Sequence, residues 1–280
     1  MKKLQVTLTV EEGKKIIALS LLRHRSFKKA KENGKILFKG GTTVSKITEE
    51  FLGIPLRISG RITERGTVAS KRTGKEAHSI IYNQGDWSVV DNDIVDRVQE
   101  FSKDDLIICG ANAIDHKGNA AIMAGSPGGG NIGKSLSSWY TEGAKIIIPT
   151  GIEKMIPGDL DNIIRKSGRT GKSVSWGMSV GLMPLKGEVF TEVEAIQQLV
   201  DVECFPIGAG GLDKAQGSIT LEIEASEDKE LEKIFKVLKK IKLEEQEVSG
   251  EEDSLVECEA ICGNCLRHIG CGYKSGLIEE

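Results

Sequence analysis

Aromatic side chains make up only 5% of this 280-residue chain, which is lean for an all-β protein whose packed sheets depend on them. Charge of one sign is missing as well. Lys+Arg number 38 against Asp+Glu 41, a net charge of -3, and no long basic block occurs, so the electrostatic footprint of a nucleic-acid binder is absent. No run of about 18 apolar residues exists to cross a membrane, and residues 1–10 lack the apolar segment of a secretion signal. These absences lead us to expect a cytoplasmic protein with neither nucleic acid nor membrane among its partners. Disorder is excluded by a hydrophobic fraction of 39%, enough for a real core.

The length is about twice that of a common domain, which predicts one large domain plus smaller modules. Over the first 160 residues strand and helix patterns alternate, as in a mostly parallel sheet with helices packed on its faces. Thr9 and Glu12 form a T-x-x-E capping box at the start of one such helix. The stretch from Asp105 to Gly110, DLIICG, is apolar on both alternate sets of side chains, as a central parallel strand requires. Residues 60–95, polar and glycine-rich, predict a loop region over the sheet edge.

After Gly187 the units become smaller, with helix, strand, strand and helix in succession. The expected fold is therefore α/β: a Rossmann-like, mostly parallel sheet with helices on both faces, a small ferredoxin-like α+β module, and a cysteine-rich C-terminal tail. The boundaries predicted are 1–186 for the ligand-binding domain, 187–243 for the module, 244–257 for an acidic linker and 258–280 for the tail.

Three segments have the character of anion loops. Lys39-Gly40-Gly41-Thr42-Thr43 joins a strand to a helix, where glycines permit close approach and the helix N-terminus offers free N–H groups and positive dipole. A tight turn with a threonine cap accounts for it equally well. Gly110-Ala111-Asn112 and Asp115 follow the DLIIC strand at the carboxyl edge of the sheet, where α/β proteins bind ligands. Gly128-Gly129-Gly130 leads to Lys134 and Ser135 and satisfies G-x-x-x-x-G-K-S, the pattern of a nucleotide-binding P-loop. No strand ending in a magnesium-holding aspartate follows it, which favours a glycine-rich loop capping a helix over the same pocket.

The order G-x-T-T, then D-h-h-h-x-G-A-x-x-I-D-x-x-G-N, then the strand ending Pro149-Thr150-Gly151, resembles the superfamily of sugar-phosphate isomerases, CoA transferases and related ligand-binding domains over roughly residues 30–160. That resemblance implies a phosphorylated sugar, a CoA ester or a related anionic metabolite cradled by Gly41, Thr42 and Thr43 together with Gly110, Ala111 and Asp115. The family's catalytic sets find no counterpart here. Asp115, Glu153 and Lys154 are the acid–base candidates at the sheet edge, and His116 is the histidine that adjoins them.

Cys109 and Cys204 stand alone among apolar neighbours, as inert buried thiols do. Cys258, Cys262, Cys265 and Cys271, at spacings x3, x2 and x5, read as one soft-metal site, because a reducing compartment disfavours disulfides. Zinc sites draw ligand pairs from separated knuckles. A single short peptide wrapping one centre favours a [4Fe–4S] cluster, with zinc as the alternative and His268 as a substitute ligand.

The reading that follows is an enzyme, isomerase- or transferase-like, that binds an anionic metabolite and carries an iron–sulfur cluster. A non-enzymatic ligand or redox sensor or assembly protein, and a P-loop enzyme, are the alternatives. A second copy of the chain or a redox partner protein is the expected macromolecular contact.

Overall fold

In a computed structural model of the chain, residues 2–70, 75–257 and 269–275 are described. The fold is mixed α/β. A six-stranded sheet has the order β12 (Glu188–Phe190), β10 (Lys145–Pro149), β7 (Leu106–Cys109), β2 (Lys35–Lys39), β5 (Ser79–Asn83), β6 (Asp86–Val89). The first four strands run parallel, β5 runs antiparallel to β2, and β6 in turn antiparallel to β5. β7 lies inside this sheet with all four residues buried, which is why LIIC is apolar on both of its faces.

Helices cover both faces. On one side α1 (Val10–Leu21), α2 (Arg25–Asn33) and α3 (Thr42–Leu52) enclose Phe27, Phe38, Val44, Ile47 and Leu106. On the other, α4 (Ile94–Gln99) and α5 (Gly130–Thr141) bury Leu37, Val98, Ile107 and Trp139. The Thr9–Glu12 capping box is formed, with Thr9 N–H donating to Glu12 Oε2 at 2.8 Å and Glu12 N–H to Thr9 Oγ1 at 3.3 Å.

The expectation of a loop over 60–95 is corrected. β3 (Gly60–Thr63) and β4 (Gly66–Ala69) make one hairpin, and β5 and β6 make another that extends the main sheet. The second turns at Gln84 and Gly85, both at positive φ (47° and 112°), the two-residue geometry that matches the twist of paired strands.

The module boundary also moves. β1 (Lys2–Leu8) pairs antiparallel with β14 (Ser218–Ala225), which pairs on its other side with β13 (Glu203–Gly210). The N-terminal strand thus completes a sheet expected to lie wholly within 187–243, whereas β12 of that range belongs to the main sheet. α7 (Glu192–Leu199) and α8 (Asp228–Leu243) pack Ile196, Ile234, Leu238 and Ile241 against Leu221 and Ile223. A third sheet, β8 (Ala113–Ile114), β9 (Ala120–Ala124) and β11 (Gly181–Leu185), is antiparallel, with α6 (Leu160–Lys166) against it.

Residues 244–257 do not run free as a linker. Ile58 N–H donates to Ser254 Oγ at 3.0 Å, Arg61 to Ser254 O at 2.7 Å, and Glu251 N–H to Leu56 O at 3.1 Å. The short helices α9 (Glu252–Leu255) and α10 (Gly272–Ser275) follow. Among the described residues no helix is long and apolar enough to cross a membrane.

Candidate functional site

Because β2, β7, β10 and β12 are parallel, their carboxyl ends share one edge, and the residues following each strand meet there. Gly110 shows how closely. A Cβ on it would lie 3.5 Å from the Pro149 carbonyl and 3.9 Å from Val44, so the β7 loop is wedged between the end of β10 and the start of α3.

The β2 end carries the densest chemistry. Lys39 is 8% exposed, and its ammonium group is hydrogen-bonded to His78 Nε2. Burial pushes its pKa down to about 8, opposed by Cys109 and Asp91 and assisted by Arg57. No carboxylate lies within ion-pair distance of Lys39 among the described residues. His78 Nδ1 is 2.7 Å from Arg57 O. A carbonyl oxygen only accepts, so Nδ1 bears the proton and Nε2 presents its lone pair to Lys39. Burial, first, and the neighbouring Lys39 hold His78 well below the ordinary histidine range.

Asp91 fixes the backbone beside it. Its oxygens accept from His78 N–H at 2.9 Å and Ser79 N–H at 2.7 Å and stand 3.3 Å from Arg57 Nη2, while Asn131 Nδ2 at the start of α5 donates to Asp91 O at 2.9 Å. Cys109 sits opposite Lys39 in the β2–β7 register, its thiol pushed up to about 12 by burial and therefore inert as a nucleophile.

Gly40 and Gly41 differ in role. A Cβ on Gly40 would overlap His78, whereas nothing lies within 4 Å of one on Gly41. Gly41 is the N-cap of α3, has extended backbone and supplies no side-chain cap. The first-turn N–H groups are thus left for another partner. Thr43 in that turn is 2% exposed, and its Oγ1 has no hydrogen-bond partner among the described residues; Thr150 Oγ1 at the end of β10 is in the same position with no exposure.

A second charged cluster forms where β10 and β12 meet the start of α1. Glu192, 2% exposed, accepts from Ile152 N–H at 3.0 Å, and burial followed by the charge of Glu153 raises it to about 7. Lys154 is half-buried and lowered by burial, against the pull of Glu153, Glu192 and Glu11 and with the push of Lys14. The Glu153 carboxylate folds back over Gly151, where a side chain would collide with it. Glu153 and Lys154 are therefore part of a packed cluster and not a solvated dipeptide.

Other predicted residues have structural work. Asp115, 2% exposed, accepts from Lys117 N–H, Asn119 N–H, Asn119 Nδ2 and Leu160 N–H at 2.9–3.1 Å. These bonds, working against burial, hold it down at about 2. It clamps the β8–β9 turn to α6, and His116 beside it is exposed. Asn112 Oδ1 accepts from Met123 N–H at 2.9 Å. Ala111 is core.

Gly128, Gly129 and Gly130 all have positive φ (62°, 76° and 65°), but the strand before them, β9, belongs to the antiparallel sheet. Ser135 is fully buried, its hydroxyl donating to Ile132 O at 3.0 Å, while Lys134 is exposed. A cavity of about 430 Å³ lies at the opposite, amino end of β10 and β12, lined by Trp139, Tyr140, Lys145 and Glu188. Its Lys145–Glu188 pair is closed at 2.7 Å, so the reactive groups gather at the other edge.

Of the tail cysteines, Cys258, Cys262 and Cys265, with His268, lie outside the described residues. Cys271 is buried and unpaired as a disulfide. It bridges to Ser175, whose Oγ donates to Gly270 O at 2.7 Å, and Tyr273 stacks edge-on with Trp176 at 6.1 Å. Residues 270–273 are thus docked on the 167–180 segment.

Sequence reasoning missed His78, Arg57, Asp91 and Glu192. The turn sequence Asn83-Gln84-Gly85-Asp86 after the apolar Ile80, Ile81 and Tyr82 is the signal that could have marked the strand His78 precedes. Comparison with protein-family models, curated proteins and solved structures finds no match.

Proposed function

We propose that the protein is a Rossmann-like domain that binds a phosphorylated or CoA-linked small metabolite at the carboxyl edge of its main sheet and performs isomerase- or transferase-type chemistry on it. The observation that carries this reading is the unfinished N-terminus of α3. Eleven residues of helix start at an open glycine with no side-chain cap, and the buried Thr43 hydroxyl in the first turn has no partner among the described residues. Free N–H groups, the helix dipole and a hydroxyl donor suit phosphate oxygens. A buried hydroxyl with nothing to bond costs free energy that a ligand would recover. The resemblance to sugar-phosphate isomerases and CoA transferases rests on the same G-x-T-T segment.

The test is thermal shift with inorganic phosphate, ribose 5-phosphate and acetyl-CoA on the intact chain and on Gly41→Asp. The aspartate has room and suitable backbone, so it caps α3 and leaves stability unchanged or raised by a few tenths of a kcal/mol. It also places a carboxylate where the anion sits, so the ligand-induced shift should vanish. A shift of equal size in both proteins would refute the site.

The four tail cysteines are proposed to hold a [4Fe–4S] cluster. Soft thiolates suit that group, and Cys271 is buried and unpaired as a disulfide.

A further inference from the structure

Resting on that reading, we propose that Lys39 is an amine nucleophile that forms an imine with the carbonyl carbon of the bound metabolite, with His78 as its proton carrier. The geometry is that of an activated nucleophile: the attacking group bonded to a base, and the base oriented by a third group. Lys39 Nζ donates to His78 Nε2, and His78 Nδ1–H donates to Arg57 O at 2.7 Å. Asp91 anchors the backbone at His78 and Ser79 through two further bonds.

The groups facing Lys39 are His78 at the start of β5, Cys109 of β7, Asp91 between β6 and α4, and Arg57 between α3 and β3. None is a carboxylate in ion-pair contact, so nothing locks the amine in its charged form. Burial acts in the same direction, with a pKa near 8. Lys39 also stands three residues before Thr42 at the first turn of α3, within about 10 Å along the chain. A phosphate on the helix end and a carbonyl at the lysine therefore fit one small phosphorylated aldehyde or ketone.

The amine lone pair adds to the carbonyl carbon, and His78 Nε2 carries one proton from nitrogen to the new alkoxide, which gives a carbinolamine. It carries the second nitrogen proton to that hydroxyl, so that water leaves and a neutral C=N bond remains. Uptake of one proton from solvent at the imine nitrogen gives the iminium, which withdraws electrons from the adjacent carbon as an isomerisation needs.

The experiment treats the full chain with glyceraldehyde 3-phosphate or with neutral glycolaldehyde, each with cyanoborohydride, followed by intact mass and peptide mapping. One adduct on Lys39 is expected, formed about tenfold or more faster than on exposed lysines, with a midpoint near pH 8. His78→Gln should slow it about 100-fold at unchanged ligand-induced thermal shift. Lys39→Arg should keep the thermal shift with phosphate and lose the adduct. Adducts spread over surface lysines without enrichment at Lys39, or a phosphate-induced thermal shift with no trapping at Lys39, would overturn the proposal. Labelling of Lys39 by glycolaldehyde without any phosphate-induced shift would instead overturn the anion site and leave the imine standing.

Discussion

The carboxylate of Glu192 occupies the space that a side chain at Gly13 would need. A Cβ built on Gly13 would overlap Glu192 Oε1, so a glycine in the first turns of α1 admits a carboxyl group from α7. Glycine inside a helix ordinarily costs about 1 kcal/mol against alanine. Here Gly13→Ala should not recover it. The methyl group displaces the carboxyl and breaks its bond to Ile152 N–H, for a net loss of about 1–2 kcal/mol in urea unfolding. A gain in stability would mean that Glu192 moves aside freely.

Glu192 also sets a pH dependence. Its native pKa, about 7, lies above the unfolded value near 4.5, so the native state holds more protons between those values. Stability from this group is full below pH 4.5 and falls as pH rises through 7, by about 3 kcal/mol at most. His78 acts in the opposite sense, since its depressed pKa costs stability as pH falls below 6.5. The measurement is therefore the difference between the native chain and Glu192→Gln from pH 4.5 to 8. That difference should shift toward the variant as pH rises, and a flat difference would refute the assignment.

Asp115 supports structure, so Asp115→Ala should destabilise the chain by about 2–4 kcal/mol, because it strands buried donors of the β8–β9 turn and α6. Its depressed pKa means that the stabilisation is present above pH 4 and is lost as pH falls through about 2. Asp115→Asn should recover part of the loss and leave anion binding intact. Selective loss of ligand binding in a fully stable Asp115→Asn chain would return the residue to the site.

Chain purified without oxygen should be brown and contain iron and sulfide, with both diminished in Cys258→Ser, Cys262→Ser, Cys265→Ser and Cys271→Ser. Cys271 sits against the docked Ser175–Gly270 contact, so its replacement should also loosen the 167–180 segment in hydrogen exchange. Colourless anaerobic protein with one zinc per chain would exchange the metal, and four reactive thiols without metal would refute the site.

Local pattern was enough to specify the α/β class, the capping box at Thr9, the doubly buried β7 and the strand–glycine–helix junction at Gly41, because each depends on neighbours within a few residues. The same local reading assigned Asp115 and Asn112 to chemistry, yet their oxygens are consumed by Leu160, Asn119 and Met123, partners that only folding brings near. Packing of the main sheet placed Lys39 against His78, 39 residues away, burying the lysine and half-burying the histidine. Their altered proton affinities follow from that desolvation and have no trace in the sequence around either residue. The pairing of β1 with β14 is likewise tertiary: hydrophobic alternation shows that a strand exists, but the choice of partner is settled by the face that α7 and α8 leave to cover.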